Sequence, residues 1–344
     1  MRYLFFITKP YSISVIRPLY EEIFRGAWGE ALIFATPPVK ALIDFAAPST
    51  DSIQAAIDFQ PEIVFVPGNF VHDKIPGLKV QIFHGLCEEK GGHYKITGFF
   101  DLYCTSGPLI TEKFLQLSKK YGFFKVKETG WPKVDNLLKP HNRNEICHSL
   151  QIDPQSKIIL YAPTFSPKFK SSNEILKVLN DIPRTGEQWI IKFHDLMASE
   201  DRRCFEKLPR DKFRIYTGYD NTPLLQVADV LISDTSSIVY EFMLLDKPVV
   251  TIGAKVRQEK ALNIESASDL RAAVERSLEN PQEFAENRRR TLAQIHPYID
   301  TLNSQRVLQA VEGFLSGITP GELKKKPLNL YRKYKVRRQL GGWF

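Results

Sequence analysis

Two histidines and one hydroxyl-rich turn are the residues whose types and positions could do chemistry. Residues 228–250 run from a short apolar stretch, Val230–Ser233, into Asp234-Thr235-Ser236-Ser237 and on into an apolar, helix-like segment carrying Glu241. A strand that ends in small hydroxyl residues and turns into a helix leaves backbone N–H groups open, with Thr235 or Ser236 as N-cap. Open amides beside hydroxyls at a strand's carboxyl end make an anion pocket, and a diphosphate fits it. A plain capped helix satisfies the same pattern, so the turn alone does not decide between them. His84 follows the apolar run 80–83 and precedes Gly85; His194 follows the run 189–193. Each stands at the carboxyl end of a strand, where α/β proteins bind ligands, and imidazole moves protons near neutral pH. Facing one cleft, the two would form a proton-handling pair; the alternative for each is an imidazole bonded to a backbone group. His72, His93, His141, His148 and His296 fall in polar or loop-like contexts without partner spacing and read as solvated or structural. No Asp-x-Asp pair stands in a suitable loop, and Cys87, Cys104, Cys147 and Cys204 form no Cys-x-x-Cys pair. Neither a metal nor a disulfide framework is expected.

The elements that must hold these groups are short apolar runs alternating with helix-like stretches. Strands are expected at 3–7, 31–35, 63–66, 80–83 and 102–105, and again at 158–161, 189–193, 213–216, 230–233 and 249–252. They are rich in Val, Ile, Phe and Tyr and lack polar alternation, as strands covered on both faces do. Helices at 52–59, 109–121, 172–179 and 236–245 fall between them, giving βαβ units. Helices at 268–278, 282–294 and 302–315 close the chain, the last crossing back to the first half. With 344 residues, two domains are expected. The polar segment 138–152, with Pro140, separates them. The fold class is α/β: two doubly wound Rossmann-like domains facing a cleft, the GT-B arrangement, plus a basic C-terminal tail. The spans are 1–140, 150–316 and a basic, aromatic tail at 317–344.

Composition narrows the setting. Hydrophobic residues make up 43% and charged residues 25%, a globular balance. The apolar run in residues 1–10 is too short for a signal peptide, and no stretch approaches the roughly 20 apolar residues of a membrane span. A cytoplasmic protein, at most peripheral on the inner face of the cell membrane, is expected. The net charge is +8, but eight of the 47 basic residues lie between Glu322 and Arg338, leaving the body close to neutral. That argues against nucleic acid as partner, which needs its basic stripe on the folded body. It suits a tail that meets an anionic surface.

The turn at 234–237 resembles the DxSS-containing signature of the CDP-glycerol glycerophosphotransferase family, the enzymes of teichoic acid and related capsule assembly. Other blocks match in the same order. Gln81-Ile82-Phe83-His84-Gly85 resembles Q-x-W-H-G, with Lys90 near a usual basic position. Gly130-Trp131-Pro132-Lys133-Val134-Asp135 resembles G-x-P-R-x-D. Tyr161-Ala162-Pro163-Thr164-Phe165 resembles Y-x-P-T-[FW], Lys192-Phe193-His194 resembles K-x-H, and Asp300 to Arg306 resembles the Asp…Arg element before the final helix. Departures stand at Phe83 for Trp, at Lys133 for Arg, at Asp195 for the usual Pro, and at Cys87-Glu88-Glu89. Lys133 exchanges a bidentate fork for a point charge.

The resemblance implies an acceptor-side first domain, a donor-binding second domain, and transfer of glycerol phosphate from CDP-glycerol, or a related CDP-polyol, to a hydroxyl of a lipid-linked glycan or polymer. His84 takes the acceptor proton as CMP leaves, and His194 binds or neutralises phosphate oxygens. Thr235, Ser236 and Ser237 hold the diphosphate with Asp234 behind them. Thr164 and Lys133 contact phosphate, and Glu241 reaches a ribose hydroxyl unless it is a surface glutamate. Gly85 and Arg306 are further family-matched positions. No cofactor is implied. Leu328, Leu330, Tyr331, Tyr334, Leu340, Trp343 and Phe344 interleave with the tail's cations, as at a lipid headgroup surface, although they form no single helical face; an unstructured basic tail is the alternative. Competing functions are a GT-B glycosyltransferase using a nucleotide sugar, a nucleotide-sugar 2-epimerase, and a non-catalytic nucleotide- or carbohydrate-binding protein.

Overall fold

A computed structural model describes residues 1–86, 91–165, 171–317 and 322–341. Lys90, Cys87-Glu88-Glu89, Trp343 and Phe344 lie outside the described residues. The chain divides into two compact units: 1–84, 90–136 and 295–344 form the first, and 85–89 with 137–294 the second.

The first unit is built on seven parallel strands: β1 (Arg2–Ile7), β2 (Glu30–Ala35), β3 (Ser49–Thr50), β4 (Ile63–Val66), β5 (Leu78–Gln81), β6 (Leu102–Thr105) and β7 (Lys125–Glu128). Their order is β3-β2-β1-β4-β5-β6-β7. The chain winds outward from β1 to β3, then returns to place β4 on the other side of β1, so the direction of winding switches between β1 and β4. Tyr3 to Ile7 and Ile63 to Val66 are all buried, as central parallel strands covered on both faces must be. Strands and helices bury an aromatic-rich core around Phe6, Phe34, Tyr103, Phe114 and Phe124.

The second unit repeats the plan with six parallel strands: β8 (Lys157–Tyr161), β9 (Glu187–Lys192), β10 (Phe213–Tyr216), β11 (Val230–Ser233), β12 (Val249–Ile252) and β13 (Leu262–Ile264). The order β10-β9-β8-β11-β12-β13 again switches direction, here between β8 and β11.

The units do not follow the expected spans 1–140, 150–316 and 317–344. The segment 138–152 is not a linker: a helix, Arg143–Ser149, capped by the Asn142 side chain, starts the second unit. Arg143 ties it there, donating to Val227 O and pairing with Asp229 at 3.1 Å. The second unit ends at 294, because Ile295 and the helix Asn303–Gly317 belong with the first. Ser106 Oγ donates to Ile295 O at 3.3 Å, and Trp131 N–H donates to His296 Nε2 at 2.9 Å.

The tail is ordered over 322–341 and belongs to the first unit. Lys326 pairs with Asp101 at 2.6 Å, Arg337 with Asp73 at 2.5 Å, and Val336 is buried. Its helix, Leu330–Leu340, therefore has one face anchored while Leu330, Tyr331 and Tyr334 stay exposed. No helix among the described residues is long and apolar enough to cross a membrane.

Candidate functional site

His84 owes its position to a kink. The expected strand 80–83 stops at Gln81, because Phe83 adopts a left-handed backbone, φ +57°. A bulky residue there carries strain of about 1–3 kcal/mol and persists only where its surroundings impose it. They do: the Phe83 ring is 5.2 Å from that of Phe114, and its carbonyl accepts from Trp131 Nε1 at 3.4 Å. The turn aims His84 at the loop after β4, where its Nδ1 lies 3.1 Å from the carbonyl of Pro67. A carbonyl only accepts, so Nδ1 carries the hydrogen and Nε2 holds the lone pair. Burial depresses the imidazole pKa, the Pro67 bond offsetting it in part, so the ring is neutral at pH 7. His84 is half-buried, with Tyr11 at 5.4 Å and His93 at 5.1 Å, ring centre to ring centre.

His194 has the opposite tautomer. Its Nδ1 accepts from the Leu196 N–H at 3.1 Å, so Nε2 carries the hydrogen and can donate. Its ring packs 4.3 Å from Phe165. The two tautomers therefore differ: Nε2 of His84 holds the lone pair and Nε2 of His194 the hydrogen.

The second unit's switch point is held by Asp234, at the end of β11. Its carboxylate accepts from Thr164 N at 2.8 Å, Ser171 N at 3.1 Å and Ser171 Oγ at 3.0 Å. Asp234 is 2% exposed and Thr164 0%, so both are committed to fixing the loop that follows β8. Thr235, Ser236 and Ser237, by contrast, are half-buried, and among the described residues none of their hydroxyls has a hydrogen-bond partner. Ser236 is the N-cap of the helix Ser237–Met243, yet its side chain does not cap it. Gly85 groups with this unit, and a Cβ there would stand 3.3 Å from Ser237 Oγ. Glu241 is 4% exposed, which rules out the surface-glutamate alternative.

The blocks at 130–135 and 300–306 turn out to be partners in support. Asp135 accepts from Asn303 N at 2.9 Å, Asn303 Nδ2 at 2.6 Å and Ser304 N at 2.7 Å, so it caps the helix Asn303–Gly317 from a distant segment. Gly130 has φ +78°, and a Cβ there would lie 1.8 Å from Asn303 Oδ1. Arg306 pairs with Asp300 and lies 4.5 Å over the ring of Tyr298. Lys133 is 6% exposed, its ammonium 5.7 Å over Trp131. His296, 0% exposed, has its pKa pushed down to about 4 by burial and is structural, as is His72, which bonds Gly341 O at 3.0 Å. His93 is different: it neighbours His84, and no spacing in the sequence signalled it. Among the described residues no group of three or more His, Cys, Asp or Glu could hold a metal ion.

Two doubly wound parallel-sheet units in one chain, each with its candidate groups at the carboxyl ends of the strands, make this a GT-B type protein. The fold is shared with the wall teichoic acid polymerase TagF: TM-score 0.68, 15% identity, 91% of this chain and 89% of that one. It is also shared with MnaA of S. aureus, solved with UDP: TM-score 0.65, 15% identity, 95% and 98%. Over residues 89–260, half of its length, the chain matches the family described as CDP-Glycerol:Poly(glycerophosphate) glycerophosphotransferase, and it belongs to that family. The teichoic acid glycerol-phosphate primase of Bacillus subtilis is 30% identical over 133 residues, 38% of this chain and 34% of that protein. Its counterpart in Bacillus spizizenii is 35% identical over 141 residues, 37% and 35%. The matched region spans about a third of the length of these curated relatives.

Proposed function

We propose that this chain transfers glycerol phosphate from CDP-glycerol to a hydroxyl of a membrane-associated glycan or polymer, releasing CMP. The observation that carries the reading is the tautomer pair. A general base must hold an open lone pair on a neutral ring, and His84 Nε2 does. A group that neutralises phosphate must donate, and His194 Nε2–H does. The acceptor oxygen attacks the β-phosphorus, its proton passes to His84 Nε2, and the bond from that phosphorus to the CMP oxygen breaks. His194 donates to the phosphoryl oxygens, and the open hydroxyls of Thr235, Ser236 and Ser237 hold the diphosphate. Asp234 and Thr164 support that turn from behind, Glu241 serves the ribose side, Lys133 packs on Trp131 within the 130–135 segment, and Arg306 braces the 298–306 segment through Asp300 and Tyr298. Positioning and charge stabilisation supply most of the rate.

Family membership and the teichoic acid glycerol-phosphate primase names of its relatives support this donor and acceptor class. We place the protein on the inner face of the cell membrane. Lys324, Lys325, Leu328, Tyr331, Tyr334, Lys335 and Arg338 are exposed together along the tail, mixing cations with apolar and aromatic side chains that suit anionic headgroups. Sedimentation with anionic vesicles is expected to fall on removal of residues 320–344; unchanged sedimentation overturns that placement. A panel of CDP-glycerol, CDP-ribitol and nucleotide sugars, read by released nucleotide, tests the reaction. CMP release from a CDP-polyol is expected. Release from a nucleotide sugar alone, or binding without turnover, overturns the proposal in favour of a glycosyltransferase or a binding protein.

A further inference from the structure

The first unit carries a cavity of about 290 Å3 where the carboxyl ends of β1 and β4 meet, the point at which its winding reverses. Doubly wound sheets bind ligands at such points. We infer that this cavity seats the terminal, hydroxyl-bearing unit of the acceptor, a single sugar ring or polyol, and presents its hydroxyl to His84 Nε2; the inference rests on His84 being the base.

The lining states the ligand's chemistry. His84 forms one wall, and the rings of Tyr11 and Phe70 form others, apolar faces for the C–H surface of a polyhydroxylated ring. Ser12 is 3% exposed, yet among the described residues its hydroxyl has no hydrogen-bond partner, and it lines the cavity. The cavity therefore presents a hydroxyl that a hydroxyl of the ligand can meet. Thr8 adds a second hydroxyl without a partner among the described residues. Asn69 Oδ1 accepts from Gln81 Nε2 at 2.7 Å, which fixes the amide and leaves Nδ2 to donate. Among the described residues the lining holds no carboxylate and one cation, the exposed Lys9. Neutral donors, acceptors and aromatic faces suit an uncharged polyol better than a bare phosphate, which would call for several cations. The volume sits at the bottom of the roughly 300–1,000 Å3 range of small-molecule sites, which suits a small ligand. The helix Ser12–Arg25 starts in this wall, so Ser12 is held by the helix rather than by a loop.

Two variants of the full chain test the assignment. Gly68 lines the cavity, and a Cβ added there meets no atom within 4 Å, so Gly68→Leu obstructs the space without straining the fold. Ser12→Ala removes the unbonded hydroxyl. Transfer from CDP-glycerol is followed by CMP release, with methyl glycosides of N-acetylhexosamines and glycerol phosphate oligomers as acceptors, while calorimetry follows CDP-glycerol binding. Acceptor KM is expected to rise at least tenfold in Gly68→Leu and about threefold in Ser12→Ala, with CDP-glycerol affinity within twofold of wild type. The acceptor whose KM moves identifies the seated unit as sugar or glycerol. Unchanged acceptor KM, or loss confined to CDP-glycerol binding, overturns the inference while the proposed reaction stands. No CMP release by the unaltered chain with either acceptor overturns that reaction and the inference with it.

Discussion

Asp234→Asn separates support from chemistry at the hydroxyl turn. Among the described residues the carboxylate accepts from Ser171 N and Ser171 Oγ at Oδ2 and from Thr164 N at Oδ1. An amide keeps the Thr164 bond and sets an NH2 against the Ser171 N–H. The Ser171 hydroxyl can rotate to accept from that NH2, so one of the two Oδ2 bonds is recovered in weaker form. A bond to a charged acceptor is worth about 1.5–3 kcal/mol net, and an orphaned buried donor costs about 1–3 kcal/mol. The expected loss is therefore about 2–4 kcal/mol in the second unit. Native-state hydrogen exchange on peptides from β8 and β11 reads it as globally exchanging amides that open about 30- to 900-fold faster. The maximal rate of CMP release is expected to stay within threefold of wild type while the KM for CDP-glycerol rises, because the turn loosens without losing a reacting group. Exchange unchanged together with a thousandfold fall in kcat would refute this reasoning and make Asp234 a participant.

Other consequences concern the first unit. Gly130→Ala must place a Cβ at φ +78° and 1.8 Å from Asn303 Oδ1, so its Asp135-capped helix has to move; a loss of about 2 kcal/mol, read as a fall in Tm of about 4–8 °C, is expected. His296 titrates near 4 in the folded chain against about 6.5 when unfolded, so the unfolded state binds the extra proton between those values and stability falls as pH drops through that window. Urea unfolding at pH 7 and pH 4 is expected to differ by about 3 kcal/mol from this group, a difference that His296→Gln removes; an unaltered pH slope in that variant would contradict the assignment.

Central strands were legible in the sequence because burial on both faces leaves an unbroken apolar run, as in 63–66, 102–105, 230–233 and 249–252. The strands without an apolar signature are edges: β3 has two residues, β7 reads Lys-Val-Lys-Glu, and β13 has three residues, half-buried at best in two of them. Without a covering layer on both sides, no apolar run marks them. The left-handed Phe83 was equally hidden, since only the Trp131 and Phe114 contacts of the folded state impose it. Pairings such as Asp135 with Asn303, 168 residues apart, leave no local trace, and neither does the return of the chain at Ile295. The candidate histidines could be found because each ends a strand, but their tautomers, set by Pro67 O and Leu196 N, could not.

In the proposed transfer His84 takes the acceptor's proton. The pH dependence of kcat/KM for CMP release from CDP-glycerol, in the unaltered chain and in His84→Ala, tests it most directly. Because burial lowers the His84 pKa, activity is expected to fall as pH drops through a midpoint below 6.5, while His84→Ala loses about 10²–10⁴-fold. An acid limb that survives unchanged in His84→Ala, with activity within tenfold of the unaltered chain, would contradict the account.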